Sequence, residues 1–210
     1  MKNHFHYILF YKPYGVLSQF TREAGHLSLT DFGPFPGGVY AAGRLDADSE
    51  GLRILRKVKD EVHIPVLTND NRVKQELTDP GYRHVKTYLA QVELIPTETG
   101  LENLRKGIPL EGKQTLPARI RLLDVEPALP PRPVPIRFRK NVPTSWLEVI
   151  LMEGRNRQVR KMTAAVGCPT LRLIRTRISF LSLEGMLPGQ SRPLTGREVV
   201  KLRSLADLPR

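Results

Sequence analysis

Trp146-Leu147-Glu148-Val149-Ile150-Leu151-Met152 runs directly into Glu153-Gly154-Arg155-Asn156-Arg157-Gln158-Val159-Arg160-Lys161-Met162. The first seven residues are apolar apart from Glu148, which reads as a largely buried strand. Gly154 breaks it. Asn156 is then expected to cap a helix over 157–166, closed by Gly167. Val159 and Met162 share the face that packs inward, and Arg157 and Arg160 share another. A helix start also offers backbone N–H groups and the positive end of a dipole, both suited to phosphate. The plainer reading of these bases is a solvated helix face.

The same pattern of strand, turn and helix recurs irregularly along the chain. Residues 7–10 are a short apolar strand stopped by Lys12-Pro13-Tyr14-Gly15. Residues 18–38 are rich in Ser, Thr, Gly and Pro and read mostly as loop, followed by a strand over 38–42. A short helix is expected over 71–78, ended by Pro80-Gly81. Residues 87–94 alternate, with Tyr88, Ala90, Val92 and Leu94 on one face of a strand. Thr99-x-x-Glu102 has the form of a capping box, opening a helix that runs to Lys106 and stops at Gly107. Residues 116–123 and 171–178 read as strands, five prolines between 127 and 135 as an irregular connection, and Thr195-x-x-Glu198 as the start of a last helix. Seven or eight strands with four irregularly interleaved helices imply an α+β fold around a mostly antiparallel sheet flanked by helices. Neither a dinucleotide fingerprint nor a P-loop is present.

The 210 residues carry 33 Lys+Arg against 21 Asp+Glu, a net charge of +12. The charge is concentrated. Residues 153–177 hold seven bases against Glu153 alone, and Arg132, Arg137, Arg139 and Lys140 form a second cluster upstream. Such an excess calls for a polyanion, nucleic acid above all. No apolar run approaches the roughly 18 residues of a membrane span, and residues 1–10 lack the pattern of a secretory leader. The single cysteine, Cys168, excludes an internal disulfide or a multi-cysteine metal site. The expectation is a cytoplasmic protein that touches no membrane.

Two further segments could carry chemistry. Residues 43–52, Gly-Arg-Leu-Asp-Ala-Asp-Ser-Glu-Gly-Leu, crowd Asp46, Asp48 and Glu50 between two glycines. Crowded carboxylates repel. The stretch reads as an acidic surface turn, as a calcium-like loop lacking the full ligand pattern, or as a catalytic carboxylate held by a tight turn. Tyr88, in Lys86-x-Tyr88, is either a core tyrosine or an aromatic that stacks on an unstacked base.

In this order, residues 43–52, Lys86-x-Tyr88-x-x-x-Val92 and residues 153–162 closely resemble the motifs of RNA pseudouridine synthases of the A type that is named for the small ribosomal subunit. Lys12-Pro13 and Leu171-x-Leu173-x-Arg175 match as well, and the resemblance covers nearly the whole chain. Residues 12–20, 143–147 and 169–175 are similar to the E-type branch, which acts on large-subunit ribosomal RNA. The resemblance implies the pseudouridine synthase fold and isomerisation of uridine to pseudouridine, with no metal and no organic cofactor. It implies Asp46 as the catalytic aspartate, Arg160 as the cation that keeps it ionised, and Tyr88 as the ring stacked on the target uracil. Leu173 would line the base pocket. Arg44, Lys86, Arg155, Asn156, Arg157 and Gln158 would bind the RNA, and the protein would act as a monomer.

The sequence departs from the family in one place. Relatives run on from the aspartate loop as Gly-Leu-Leu-x-Leu-Thr-Asn-Asp. Here Gly51-Leu52 and Val66-Leu67-Thr68-Asn69-Asp70 are separated by an insertion, residues 53–65. Ile54, Leu55, Val58 and Val62 fall on one helical face, so the insertion is expected to be a helix, an excursion that bulges out and rejoins the strand, or a hairpin turning at Lys59-Asp60. The chain is expected to be one catalytic domain without the amino-terminal S4 domain of some relatives. The alternative is a non-catalytic RNA-binding or ribosome-assembly protein whose active loop the insertion has spoiled.

Overall fold

Tyr7 to Lys12 begin the fold as strand β1, Tyr7–Lys12, and Gly15 in left-handed backbone makes the turn that follows. The computed structural model describes residues 6–36, 39–41, 45–57, 84–136 and 139–206. They belong to two compact units, residues 1–83 with 183–210, and residues 84–182.

In the first unit, β3 (Glu50–Lys57) pairs antiparallel with β1, Lys12 opposite Gly51 and Tyr7 opposite Arg56. It also pairs with the short β2 (Val39–Ala41). β1 takes the late strand β11 (Ser191–Pro193) on its other edge. Phe10, Leu29 and Ala41 form the buried centre, with Phe32 and Phe35 packed by their ring faces and edges against Phe10. A 3-10 turn, Leu29–Phe32, lies within the stretch expected to be loop. Helix α3, Gly196–Ala206, starts with a reciprocal capping box: the Glu198 N–H donates to Thr195 Oγ1 and the Thr195 N–H to Glu198.

The helical alternative for the insertion is corrected over 53–57 by this unit. Residues 53–57 are not helical but continue β3, because β1 and β2 both satisfy their backbone groups. Ladder pairing overrides a 3.6-residue apolar period that only a lone segment would express. The expected turn at Lys59-Asp60, the helix over 71–78 and the segment Val66–Asp70 lie outside the described residues, as does Arg137.

In the second unit, β4 (Lys86–Glu93) lies between β8 (Thr144–Leu151) and β9 (Thr170–Ile178), antiparallel to both. β7 (Arg119–Leu123) flanks β8, and β10 (Leu181–Ser182) flanks β9. Tyr88, Ala90 and Val92 are buried as the alternation requires. Leu94 is not: the strand ends before it, its φ is 65°, and it is exposed. Helix α1 (Glu98–Lys106) is capped by Thr97, whose Oγ1 accepts from the Gly100 N–H, two residues before the expected capping box. Gly107 ends it at φ 93°, where a Cβ would run into the Thr115 carbonyl. That close approach belongs to a hairpin, β5 (Pro109–Leu110) and β6 (Lys113–Gln114), which the sequence pattern does not announce. Helix α2, Gln158–Ala165, buries Val159 and Met162 against the sheet. Among the described residues no helix is long and apolar enough to cross a membrane.

Candidate active site

In the first unit the aspartate loop is held by β1 and the turn after it. Lys12 is completely buried, and its ammonium donates to the carbonyls of Pro13 at 2.9 Å, Val16 at 2.8 Å and Ala47 at 3.4 Å. A buried ammonium is tolerated only where oxygen atoms replace its water shell. The Gly15 N–H reaches the same Ala47 carbonyl at 2.8 Å, and the Leu45 N–H donates to Ser18 Oγ at 3.1 Å. The loop closes on itself through the Ser49 N–H and the Asp46 carbonyl, 3.1 Å. Its backbone is thus fixed at Leu45, Ala47 and Ser49, while Asp46 between them is partly exposed. Fixed backbone with an accessible carboxylate is what a catalytic aspartate requires, since small misplacements are costly. In the sequence, Lys12 stands out only as part of a matching turn. The signal that could have marked it as an anchor is a lysine closing an otherwise apolar strand. Arg44 lies outside the described residues.

In the second unit, β4 and β9 carry the groups expected to meet the base. Tyr88 is 8 % exposed and Leu173 6 %, and both belong to one hydrophobic cluster with Ala90, Leu147 and Val149. Most of the Tyr88 surface therefore serves the core. Arg175, 7 % exposed, is paired with Tyr88 across the strands. Lys86, two residues before Tyr88, has its ammonium 3.7 Å from where a Cβ on Gly154 would lie. Burial, and secondarily the charge of Arg175, lower its pKa from 10.5 to about 8.

The turn from β8 into α2 differs from the sequence expectation. The helix starts at Gln158, not 157; Arg157 is the N-cap, in left-handed conformation at φ 51°, and Asn156 lies in the turn before it. Asn156 accepts from Lys161 at 3.4 Å rather than capping the helix. No side-chain hydrogen bond caps the helix at Arg157; Gln158 Oε1 instead accepts from the Arg155 N–H, in the turn before the N-cap, at 3.0 Å. Gln158 Nε2 donates in turn to Glu153 at 2.5 Å. Glu153, 8 % exposed, also accepts from the Leu116 N–H at 2.9 Å and from Arg155 Nε at 3.2 Å. Arg155 donates further to the carbonyls of Lys113 and Gln114 in the β5–β6 hairpin. The side chains of Gln158 and Arg155 thus build the turn, whereas Arg157 stands exposed at its tip. Arg160, one turn into α2, donates to the Thr170 carbonyl at 3.1 Å. The sequence could not separate these arginines, because only the hairpin carbonyls distinguish a structural one from an exposed one.

Among the described residues no three His, Cys, Asp or Glu side chains converge as metal ligands would. The first unit has a partly exposed aspartate on a hydrogen-bonded loop; the second, described by itself, has an aromatic and apolar strand face and a basic turn at a helix start. A family model described as RNA pseudouridylate synthase matches residues 6–165. The chain is 49 % identical over 183 residues to the ribosomal large subunit pseudouridine synthase E of Xanthomonas axonopodis pv. citri, covering 86 % of this chain and 90 % of that one. It is 48 % identical over 183 residues to the enzyme of the same name from Vibrio parahaemolyticus, covering 87 % and 71 %. A crystal structure of a pseudouridylate synthase superimposes with a TM-score of 0.71 at 27 % identity, over 95 % of this chain and 74 % of that one.

Proposed function

The chain belongs to the RNA pseudouridylate synthase family, and on that premise we propose that it isomerises a specific uridine of large-subunit ribosomal RNA to pseudouridine. The small-subunit name attached to its motifs does not carry to the substrate: the matched relatives are named for the large one. The observation that carries the proposal is Asp46, partly exposed in a loop whose Ala47 carbonyl accepts from buried Lys12. Residues 53–57, the described part of the insertion, extend β3.

In this reading the target uridine leaves its helix, at a cost of roughly a few kcal/mol. The phosphate contacts of the basic turn offset that cost. By attack at C1′, Asp46 displaces N1 and is itself displaced when C5 bonds to C1′; by taking the C2′ proton, it drives loss of N1 and returns the proton to C2′ as C5 bonds to C1′. In either route the uracil turns while held, the C5 proton leaves and N1 takes up a proton. Arg160 takes the role of the basic partner of the aspartate that the family resemblance implies. Tyr88 stacks on the uracil and Leu173 walls its pocket. Together they keep out water that would divert an intermediate.

The test is tritium release from ribosomal RNA labelled at uracil C5. Wild type releases label, and Asp46→Asn binds the RNA without releasing it. Equal release by both contradicts the role given to Asp46, and no release by wild type contradicts the reaction.

A further inference from the structure

The proline-rich connection between β7 and β8 is the largest piece of the second unit that this chemistry leaves unused. Residues 127–143 carry four bases and no acid. The connection is nevertheless tied down along its length. Arg172, 7 % exposed on β9, donates to the Pro130 carbonyl at 2.8 Å. Arg132 folds back onto the carbonyls of Val134 and Pro135 at 2.6 and 3.2 Å. At the far end the Leu94 N–H holds the Pro143 carbonyl at 2.7 Å. Prolines fix φ, so little conformational entropy is left to lose when something binds.

Where this connection meets the ends of β4, β8 and β9, a cavity of about 520 Å³ opens. That volume lies within the roughly 300–1,000 Å³ of small-ligand sites. Its wall is apolar at Val142 and Leu171, and its edge carries Arg139 and Lys140, both exposed. Gln91 and Glu93 line it too. Gln91 donates its amide to Thr144 Oγ1 at 3.4 Å, which leaves its oxygen as an acceptor. Glu93 reaches Arg139 only at 3.5 Å. An acid on the wall disfavours a phosphate deep inside, whereas cations at the edge favour one there. Apolar faces, acceptor groups and a cationic edge suit a nucleotide whose base enters and whose phosphates stay outside.

We propose that this cavity binds an unpaired nucleotide of the substrate RNA, its base between Val142 and Leu171 and its phosphates on Arg139 and Lys140. It is a second anchor, carried by different elements from the turn at Arg157. The inference rests on the reaction proposed above, because it takes the RNA to be the substrate.

The experiment uses the full chain and an unmodified transcript of large-subunit ribosomal RNA. Filter binding across a salt series gives Kd and its salt slope for wild type and for Arg139→Ala with Lys140→Ala. Two lost contacts to single-stranded phosphate should flatten the slope by about 1.4 and raise Kd at least tenfold in 0.1 M salt. A benzophenone amino acid placed at Val142 in the otherwise wild-type chain should crosslink to the transcript. The same group at exposed Glu102 on α1 should not. An unchanged slope, or equal crosslinking at the two positions, overturns the proposal. These readouts need no catalysis, so a wild-type chain that releases no tritium refutes the reaction and leaves the binding result to stand or fall separately.

Discussion

Glu153→Ala should cost the second unit a substantial part of its stability. The Glu153 carboxylate is 8 % exposed and accepts from the Leu116 N–H, Gln158 Nε2 and Arg155 Nε. Truncation strands the first two donors. Gln158 is 4 % exposed, so water cannot replace the lost acceptor. Each buried donor left unsatisfied costs about 1–3 kcal/mol. The Arg155 pair adds little, since its side chain is 31 % exposed and solvent screens it. The expected loss is about 2–6 kcal/mol, against the ~5–15 kcal/mol that a folded chain possesses. With a urea slope of about 2 kcal/mol/M, the midpoint falls by ~1–3 M. Trp146, the one tryptophan of the chain, lies 5 % exposed on β8, so its fluorescence reports on the unit in question. Glu153→Gln, which keeps an acceptor oxygen, should lose less. A midpoint for Glu153→Ala within ~0.3 M of wild type would refute the assignment of Glu153 as the carboxylate that organises this turn.

Arg157→Ala should flatten the salt dependence of RNA binding by about one phosphate contact, with urea stability within ~0.5 kcal/mol of wild type; Arg155→Ala should lower stability and leave the slope nearly unchanged. Lys12→Met removes the donor to three carbonyls around the aspartate loop and should cut kcat at least tenfold in tritium release, with Kd for RNA little changed. The pKa of Lys86 is lowered by folding, from 10.5 to about 8. The unfolded chain therefore holds a proton that the native one lacks between those values. Stability should rise with pH across that window, by no more than ~1.4 kcal/mol per pH unit. Urea melts of wild type and Lys86→Met at pH 7.5 and 9.5 would show it as a difference between the two proteins.

What the sequence disclosed follows the range of the interactions involved. The alternation of Tyr88, Ala90 and Val92 was legible because it is local to one strand, and so was the Thr195–Glu198 box. Residues 53–57 misled because their apolar spacing is helical, while partners more than a dozen residues away in β1 and β2 hold them extended. Leu94 misled because alternation says nothing of where a strand ends. At the candidate site, motif order singled out Asp46, Tyr88 and Arg160. It could not distinguish Arg155 from Arg157, because that difference depends on carbonyls of the β5–β6 hairpin some 40 residues earlier in the chain. Lys12 is illegible as an anchor for the same reason: its burial emerges only when Ala47 is brought back to it.

Arg157 occupies left-handed backbone at φ 51°. A side chain held there costs of order 1 kcal/mol or more, which glycine would not incur. Anyone redesigning this chain for heat resistance by backbone rules alone would put glycine at that position and obtain a sturdier protein. That change would delete the exposed guanidinium at the tip of the turn. If Arg157 binds RNA as proposed above, thermal robustness and grip on the RNA compete for a single residue, and selection for one would be read as loss of the other.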